Sequence, residues 1–273
     1  MIQEALFIDG GEANLYSVLF MPEKDFSNKV FLFCHPLFEE KKASHRVLVE
    51  LARKLAERGY ASLMLDFRAC GDSGGNVQDF TPSKWMADIR TGIKWLQARF
   101  EKPRINFLGI RFGASLAVEF ALREKCIEDL ILIDPIIQGK AYLDEILQQK
   151  YIREMMTFGE ARSDVNAMYA DLEKNRQLDI DGTLISSIFF EAVKAIDLSK
   201  HDLSFLKRIL LLQQSPRKSL LPAYEDFQRK CREGNVNLDI SLLTVPPFWK
   251  AVDMADSEIV CKTILSWCRF SVH

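Results

Sequence analysis

The chain has 273 residues, 48% of them hydrophobic and 27% charged, with a formal net charge of -2 at pH 7. A chain of this composition buries a full core and is not a disordered polymer, and the lack of a basic excess argues against nucleic acid or an anionic membrane surface as partner. No apolar run is long enough to cross a membrane, and Glu4 and Asp9 stand where a secretory signal would be basic and then apolar, so a cytoplasmic protein is expected.

Taken in order, residues 2–9 and 14–21 are apolar runs separated by Gly10-Gly11-Glu12-Ala13, the pattern of a hairpin at a sheet edge. Lys29 to Cys34 is an uninterrupted apolar run, as in a parallel strand covered on both faces, and it ends at His35-Pro36. Val47, Leu48, Leu51, Leu55 and Ala56 recur at helical spacing, predicting a helix over residues 43–58 with Ser44 as its cap and Gly59 as its stop. Residues 61–66 read as the next strand. The loop after it contains Gly71-Asp72-Ser73-Gly74-Gly75, letters that also surround the nucleophile of chymotrypsin-like proteases, but strand–helix alternation excludes a pair of β-barrels.

A helix over residues 85–100 leads into the strand Arg104 to Ile110, and a further helix runs to about Glu124. Leu130 to Ile133 is another buried strand, ending at Asp134-Pro135. Between residues 138 and 202 only helical patterns appear, among them Tyr142, Ile146 and Leu147 and then Leu184, Ile188 and Phe189. Alternation resumes with a strand at 209–212, a helix at 222–232, a strand at 238–245 and a helix at 256–270. The expected architecture is therefore α/β: a mostly parallel central sheet with helices on both faces, a core from 1–137 and 203–273, and a helical cap inserted at 138–202.

The turn between the strand at 104–110 and its helix reads Gly109-Ile110-Arg111-Phe112-Gly113. A Gly-x-Nu-x-Gly turn after a central strand is the nucleophile elbow of the α/β-hydrolase fold, whose glycines let the backbone bend sharply beneath the nucleophile. Here the central residue is Arg111, a fixed cation that cannot attack a carbonyl. The acid of a Ser-His-Asp triad would follow the strand after the cap, where Gln213-Gln214-Ser215-Pro216-Arg217 offers Ser215 and no carboxylate. The base would follow the last strand, where Pro246-Pro247-Phe248-Trp249 puts Phe248 or Trp249. All three catalytic positions are thus replaced.

The remaining candidates are few. His35 occupies the oxyanion-loop position, His45 lies near a helix start, His201 precedes the strand after the cap, and His273 is the last residue. Asp134 is a displaced acid without a base, Ser115 sits one turn past the elbow, and Cys34 adjoins His35. The six cysteines, Cys34, Cys70, Cys126, Cys231, Cys261 and Cys268, form no C-x-x-C pair, and no histidines have zinc-finger spacing. Reduced thiols are expected, with no metal and no cofactor.

Pro36-Leu37-Phe38-Glu39-Glu40-Lys41-Lys42-Ala43-Ser44, the Cys70-Gly71-Asp72-Ser73 loop, Gly109 to Ala114, Asp134 to Lys140, and Pro247-Phe248-Trp249 together resemble the exosortase A system-associated hydrolases of the type called hydrolase 2. The resemblance spans most of the chain and is least distinctive over the cap. It implies an α/β-hydrolase branch with arginine at the elbow, encoded beside bacterial exopolysaccharide and protein-sorting systems, and it names no substrate.

An elbow sets its central residue at a helix N-terminus, where unpaired N–H groups favour negative charge, and a guanidinium strengthens that preference. Arg111, the Phe112 N–H, His35, Pro36, Leu37 and Asp134 are accordingly expected to line a site for a small anionic or acyl-bearing molecule. The competing expectation is an internal ion pair of Arg111 with Asp134, Glu39 or Glu40. Three functions follow: a pseudo-hydrolase that binds such a molecule, an active hydrolase built around His35, Cys34 or Asp134, or a scaffold for a protein partner of an exopolysaccharide system. Phe189 and Phe190 of the cap suit an apolar ligand and equally suit packing between helices.

Overall fold

The computed structural model describes residues 1–76, 79–161, 163–180, 182–250 and 257–269. Apolar runs without polar interruption place strands where both faces are covered. In β3 (Lys29–Cys34), Val30, Leu32 and Cys34 pack on one side of the sheet and Phe31 and Phe33 on the other. β5 (Arg104–Ile110) and β6 (Asp129–Ile133) divide in the same way.

With β1 (Ile2–Asp9), β2 (Asn14–Met21), β4 (Ala61–Leu65), β9 (Arg208–Gln214) and β10 (Asn237–Leu243), these strands form an eight-stranded sheet in the order β1-β2-β4-β3-β5-β6-β9-β10. The β1–β2 and β2–β4 pairs are antiparallel and the others parallel. The helices α1 (Phe38–Ala56) and α8 (Ser257–Arg269) cover one face. The other is covered by α2 (Pro82–Arg99), α3 (Phe112–Glu124) and α7 (Pro222–Glu233). This is the α/β-hydrolase fold.

Two expectations need correction. The first concerns α1, which begins at Phe38, five residues before the predicted start, because the chain climbs directly from Pro36-Leu37 into a first turn whose Glu39 and Glu40 suit the positive helix end. Ser44 is no cap. Its hydroxyl donates to the Glu40 carbonyl at 2.7 Å within the helix.

The second concerns the segment between β6 and β9, expected to be wholly helical. It contains α4 (Gly139–Phe158), α5 (Val165–Asn175), α6 (Ser187–Lys194) and an antiparallel hairpin of β7 (Gln177–Ile180) and β8 (Thr183–Ser186). Four-residue strands are too short for periodicity to separate from helix, so Leu184, read as helical, lies in β8. The predicted limits of the last helix, Asp256 and Phe270, and the terminal His273 lie outside the described residues.

Candidate functional site at the elbow

β5 sits between β3 and β6, and its C-terminal end delivers Arg111 to the middle of the sheet edge. Arg111 adopts φ 52 and ψ -121, a conformation that side chains rarely take, and its N–H donates to the Ile133 carbonyl at 2.9 Å. Both glycines of the motif are required by close approach. A Cβ on Gly109 would meet the Ala114 Cα at 2.4 Å, and one on Gly113 would meet the Cys34 carbonyl oxygen at 2.1 Å. The nucleophile elbow is therefore intact as backbone, with a cation at its apex.

That cation is paired inward. Arg111 Nε donates to Glu40 Oε1 on α1 at 2.9 Å, and Nη2 donates to Glu145 Oε2 on α4 at 2.9 Å. The Tyr142 hydroxyl donates to the second Glu40 oxygen at 3.1 Å. The guanidinium carbon lies 5.6 Å from the ring centres of both Tyr142 and Trp249. Burial opposes the charge of Arg111, but Glu40 and Glu145 outweigh it and hold its pKa above the ordinary value. Burial pushes the Glu40 carboxyl up against the pull of Arg111. Burial also acts on Glu145, yet Arg111 and Lys250 overcome it and lower its pKa.

Of the expected partners, Glu40 alone meets Arg111. Glu39 bonds to Lys42 on the surface at 2.7 Å. Asp134 turns to the neighbouring strand, accepting from the Gln214 N–H at 2.7 Å and from the Tyr224 hydroxyl at 3.3 Å. Its burial raises its pKa to about 7, despite these bonds and the nearby Arg111 charge. Glu145, Tyr142, Lys250 and Tyr224 were not foreseen. Only the path of α4 over the sheet brings Glu145 to the elbow, and no local pattern records that path.

The other candidates are committed elsewhere. His35 Nδ1 donates to the Pro36 carbonyl at 2.7 Å, and Nε2 accepts from the Phe67 N–H at 3.3 Å, so neither ring nitrogen is available as a base. Burial, reinforced by Lys41, lowers its pKa to about 4. His35 therefore offers no ring nitrogen to a ligand, and it lines a separate pocket with Tyr16, Lys41, His45 and Asp66 instead of the cavity beside Arg111. The Ser115 hydroxyl donates to the Ile136 carbonyl at 2.6 Å, and His201 Nε2 pairs with Glu119 at 2.7 Å on another part of the surface. Burial drives the Cys34 thiol far above its ordinary pKa. Leu37 is the residue before α1 and is buried.

At the positions where the sequence leads one to expect an acid and a base, the Ser215 N–H donates to the Leu243 carbonyl and its hydroxyl accepts from the Arg217 N–H, while Phe248 and Trp249 are buried in a short helical turn. Among the described residues no group of three or more His, Cys, Asp or Glu side chains could hold a metal ion, and no helix is long and apolar enough to cross a membrane. A cavity of ≈ 40 Å³ adjoins the ion pairs, lined by Phe38, Glu40, Tyr142, Glu145, Ile146 and Ile180 among others.

Comparison with known proteins agrees with this backbone. An uncharacterized protein of Rickettsia prowazekii (strain Madrid E) is 28% identical over 102 residues, a match spanning 37% of this chain and 42% of that protein's length. The fold is similar to that of Est1E from Butyrivibrio proteoclasticus with ferulic acid bound (TM-score 0.69, 18% identity, 97% of this chain and 98% of that one). It is also similar to that of the Pyrococcus furiosus esterase Pf2001 (TM-score 0.65, 19% identity, 98% and 91%). An alpha-beta serine hydrolase homologue from Coxiella burnetii matches at TM-score 0.57 with 15% identity over 97% and 98% of the two chains. The sequence model of the family described as serine aminopeptidase, S33, covers residues 28–194, more than half of the chain, and the protein belongs to that family of α/β-hydrolase fold.

Proposed function

We propose that this protein is a pseudo-hydrolase, which keeps the hydrolase scaffold, lacks its chemistry, and binds a small anionic or acyl-bearing molecule at the elbow. The observation that carries this reading is the Arg111 guanidinium at the nucleophile position, bonded to Glu40 and Glu145 at 2.9 Å each. A serine hydrolase needs a nucleophile within reach of a base. Here the apex residue carries no lone pair, His35 has spent both ring nitrogens, and Ser115 is bonded to a carbonyl. An active site assembled from His35, Cys34 or Asp134 is opposed by the same bonds.

In this reading residues 1–137 and 203–273 are the core and 138–202 the cap, and Arg111, the Phe112 N–H, Pro36, Leu37 and Asp134 surround the ligand. The resemblance to the exosortase A system-associated hydrolases supports a role beside a bacterial exopolysaccharide and protein-sorting system, and the acidic N-terminal residues Glu4 and Asp9 support a cytoplasmic one. The test is labelling of the wild-type protein with a fluorophosphonate, together with hydrolysis of p-nitrophenyl esters by wild type and Arg111→Ala. No covalent adduct, and ester turnover equal in the two proteins, are expected. A stoichiometric adduct, or turnover that depends on Arg111, would overturn the proposal.

A further inference from the structure

We infer that the ligand of the elbow site is a carboxylate, and that Glu145 is its built-in stand-in. This rests on the reading of the elbow as a non-covalent ligand site. Two carboxylates share the Arg111 guanidinium, and they are not equivalent. Glu40 is held from the core helix α1, its side chain is 19% exposed, and its second oxygen is engaged by Tyr142. Glu145 is held from α4, and its side chain is 37% exposed. Its other oxygen already has partners of its own, Gln149 Nε2 at 3.1 Å and Lys250 Nζ at 3.3 Å. Releasing Arg111 therefore leaves Glu145 solvated and still bonded, whereas releasing Glu40 would strand a buried charge.

The charge count points the same way. Within the bonded set Arg111 and Lys250 balance Glu40 and Glu145, so a further anion competes with Glu145 for the guanidinium. Once Glu145 leaves Arg111, a planar carboxylate fits the vacated edge of the guanidinium, the geometry that arginine binds best. A second donor lies nearby. The Trp249 indole N–H is buried without a hydrogen-bond partner among the described residues, and its ring centre is 5.6 Å from the guanidinium carbon. A buried N–H of this kind is costly unless something accepts from it. The small cavity beside Glu145 is lined by Phe38, Ile146 and Ile180 together with Glu39, Gln149 and Arg153, and it gives the freed Glu145 side chain polar neighbours to turn toward.

The experiment titrates hexanoate, with hexanamide as its uncharged counterpart, into wild type, Glu145→Gln and Arg111→Ala/Glu145→Gln, following the Arg111 Nε–H resonance by NMR and the heat of binding. Saturable hexanoate binding is expected in wild type, about tenfold tighter in Glu145→Gln and lost in the double variant, with hexanamide weak throughout. Glu145→Gln binding hexanoate no more tightly than wild type, or hexanamide binding as well as hexanoate, would overturn the inference. If Glu145→Gln is unstable, Glu145→Asp serves, since its shortened side chain should release Arg111 and tighten hexanoate binding in the same sense. Fluorophosphonate labelling, which decides whether the protein is a pseudo-hydrolase, is independent of these titrations.

Discussion

Arg111 Nε reaches Glu40 Oε1 at 2.9 Å, which joins the apex of the elbow to the first turn of α1 across 71 residues of sequence. The residue that would be the nucleophile is thereby the centre of a buried ion pair, and the helix that begins earlier than its apolar spacing suggests supplies the partner.

Replacing the apex should not restore chemistry. Arg111→Ser is expected to place a hydroxyl at the elbow with no base to activate it, because His35 is fully bonded and Phe248 and Trp249 stand where the sequence leads one to expect a base. Fluorophosphonate labelling of the folded variant is expected to be no faster than background over hours. Stoichiometric labelling within minutes would show that a base lies within reach of the new hydroxyl.

Removing the cation should destabilise the protein. Arg111→Ala leaves the Glu40 carboxylate buried without its partner, a loss on the order of 3–5 kcal/mol for a buried pair. Adding Glu40→Gln should recover a large part of it, because the uncompensated charge goes with the mutation. Urea denaturation of the two single variants and the double variant measures the coupling; additive effects would mean that the pair contributes nothing to stability.

Asp134 predicts a pH dependence of definite sign. Its pKa in the fold is about 7, against an ordinary value of 3.8, so the native state binds the proton more tightly than the unfolded chain. Its stabilising contribution is complete below about pH 4 and is lost as pH rises toward 7, amounting to about 4 kcal/mol at one pKa unit per 1.36 kcal/mol. His35, lowered to about 4, acts in the opposite sense over the same range and masks the slope in wild type. Asp134→Asn should therefore be more stable than wild type at pH 8 and lose that advantage at pH 4. A difference between the two proteins that does not change with pH would refute the assignment.

The elbow glycine has no tolerance for a side chain. Gly113→Ala sets a Cβ 2.1 Å from the Cys34 carbonyl oxygen and 2.4 Å from that of His35, both backbone atoms of a buried strand end. A loss of about 3 kcal/mol or more is expected by thermal or urea unfolding, larger than ordinary overpacking because the strand must move. A variant within about 0.5 kcal/mol of wild type would show that β3 and α3 can separate freely.

Much of this molecule is legible in its residues alone. Uninterrupted apolar runs such as Val30 to Cys34 and Leu130 to Ile133 mark strands covered on both faces, because a parallel strand packed between two layers of helix is buried at successive positions. The elbow motif with its arginine, and the residues that stand where an acid and a base would be expected, are equally local, since each depends on residue identity at the end of a strand. Tertiary structure alone decided what Arg111 does. Its second partner lies 34 residues on, carried in by α4, and its first sits in a helical turn whose start the apolar spacing misplaced. The saturation of both His35 nitrogens and the β7–β8 hairpin were likewise hidden. The physical reason is shared: backbone preference and burial are written every two to four residues, whereas a polar side chain finds its partner only after the elements around it have packed.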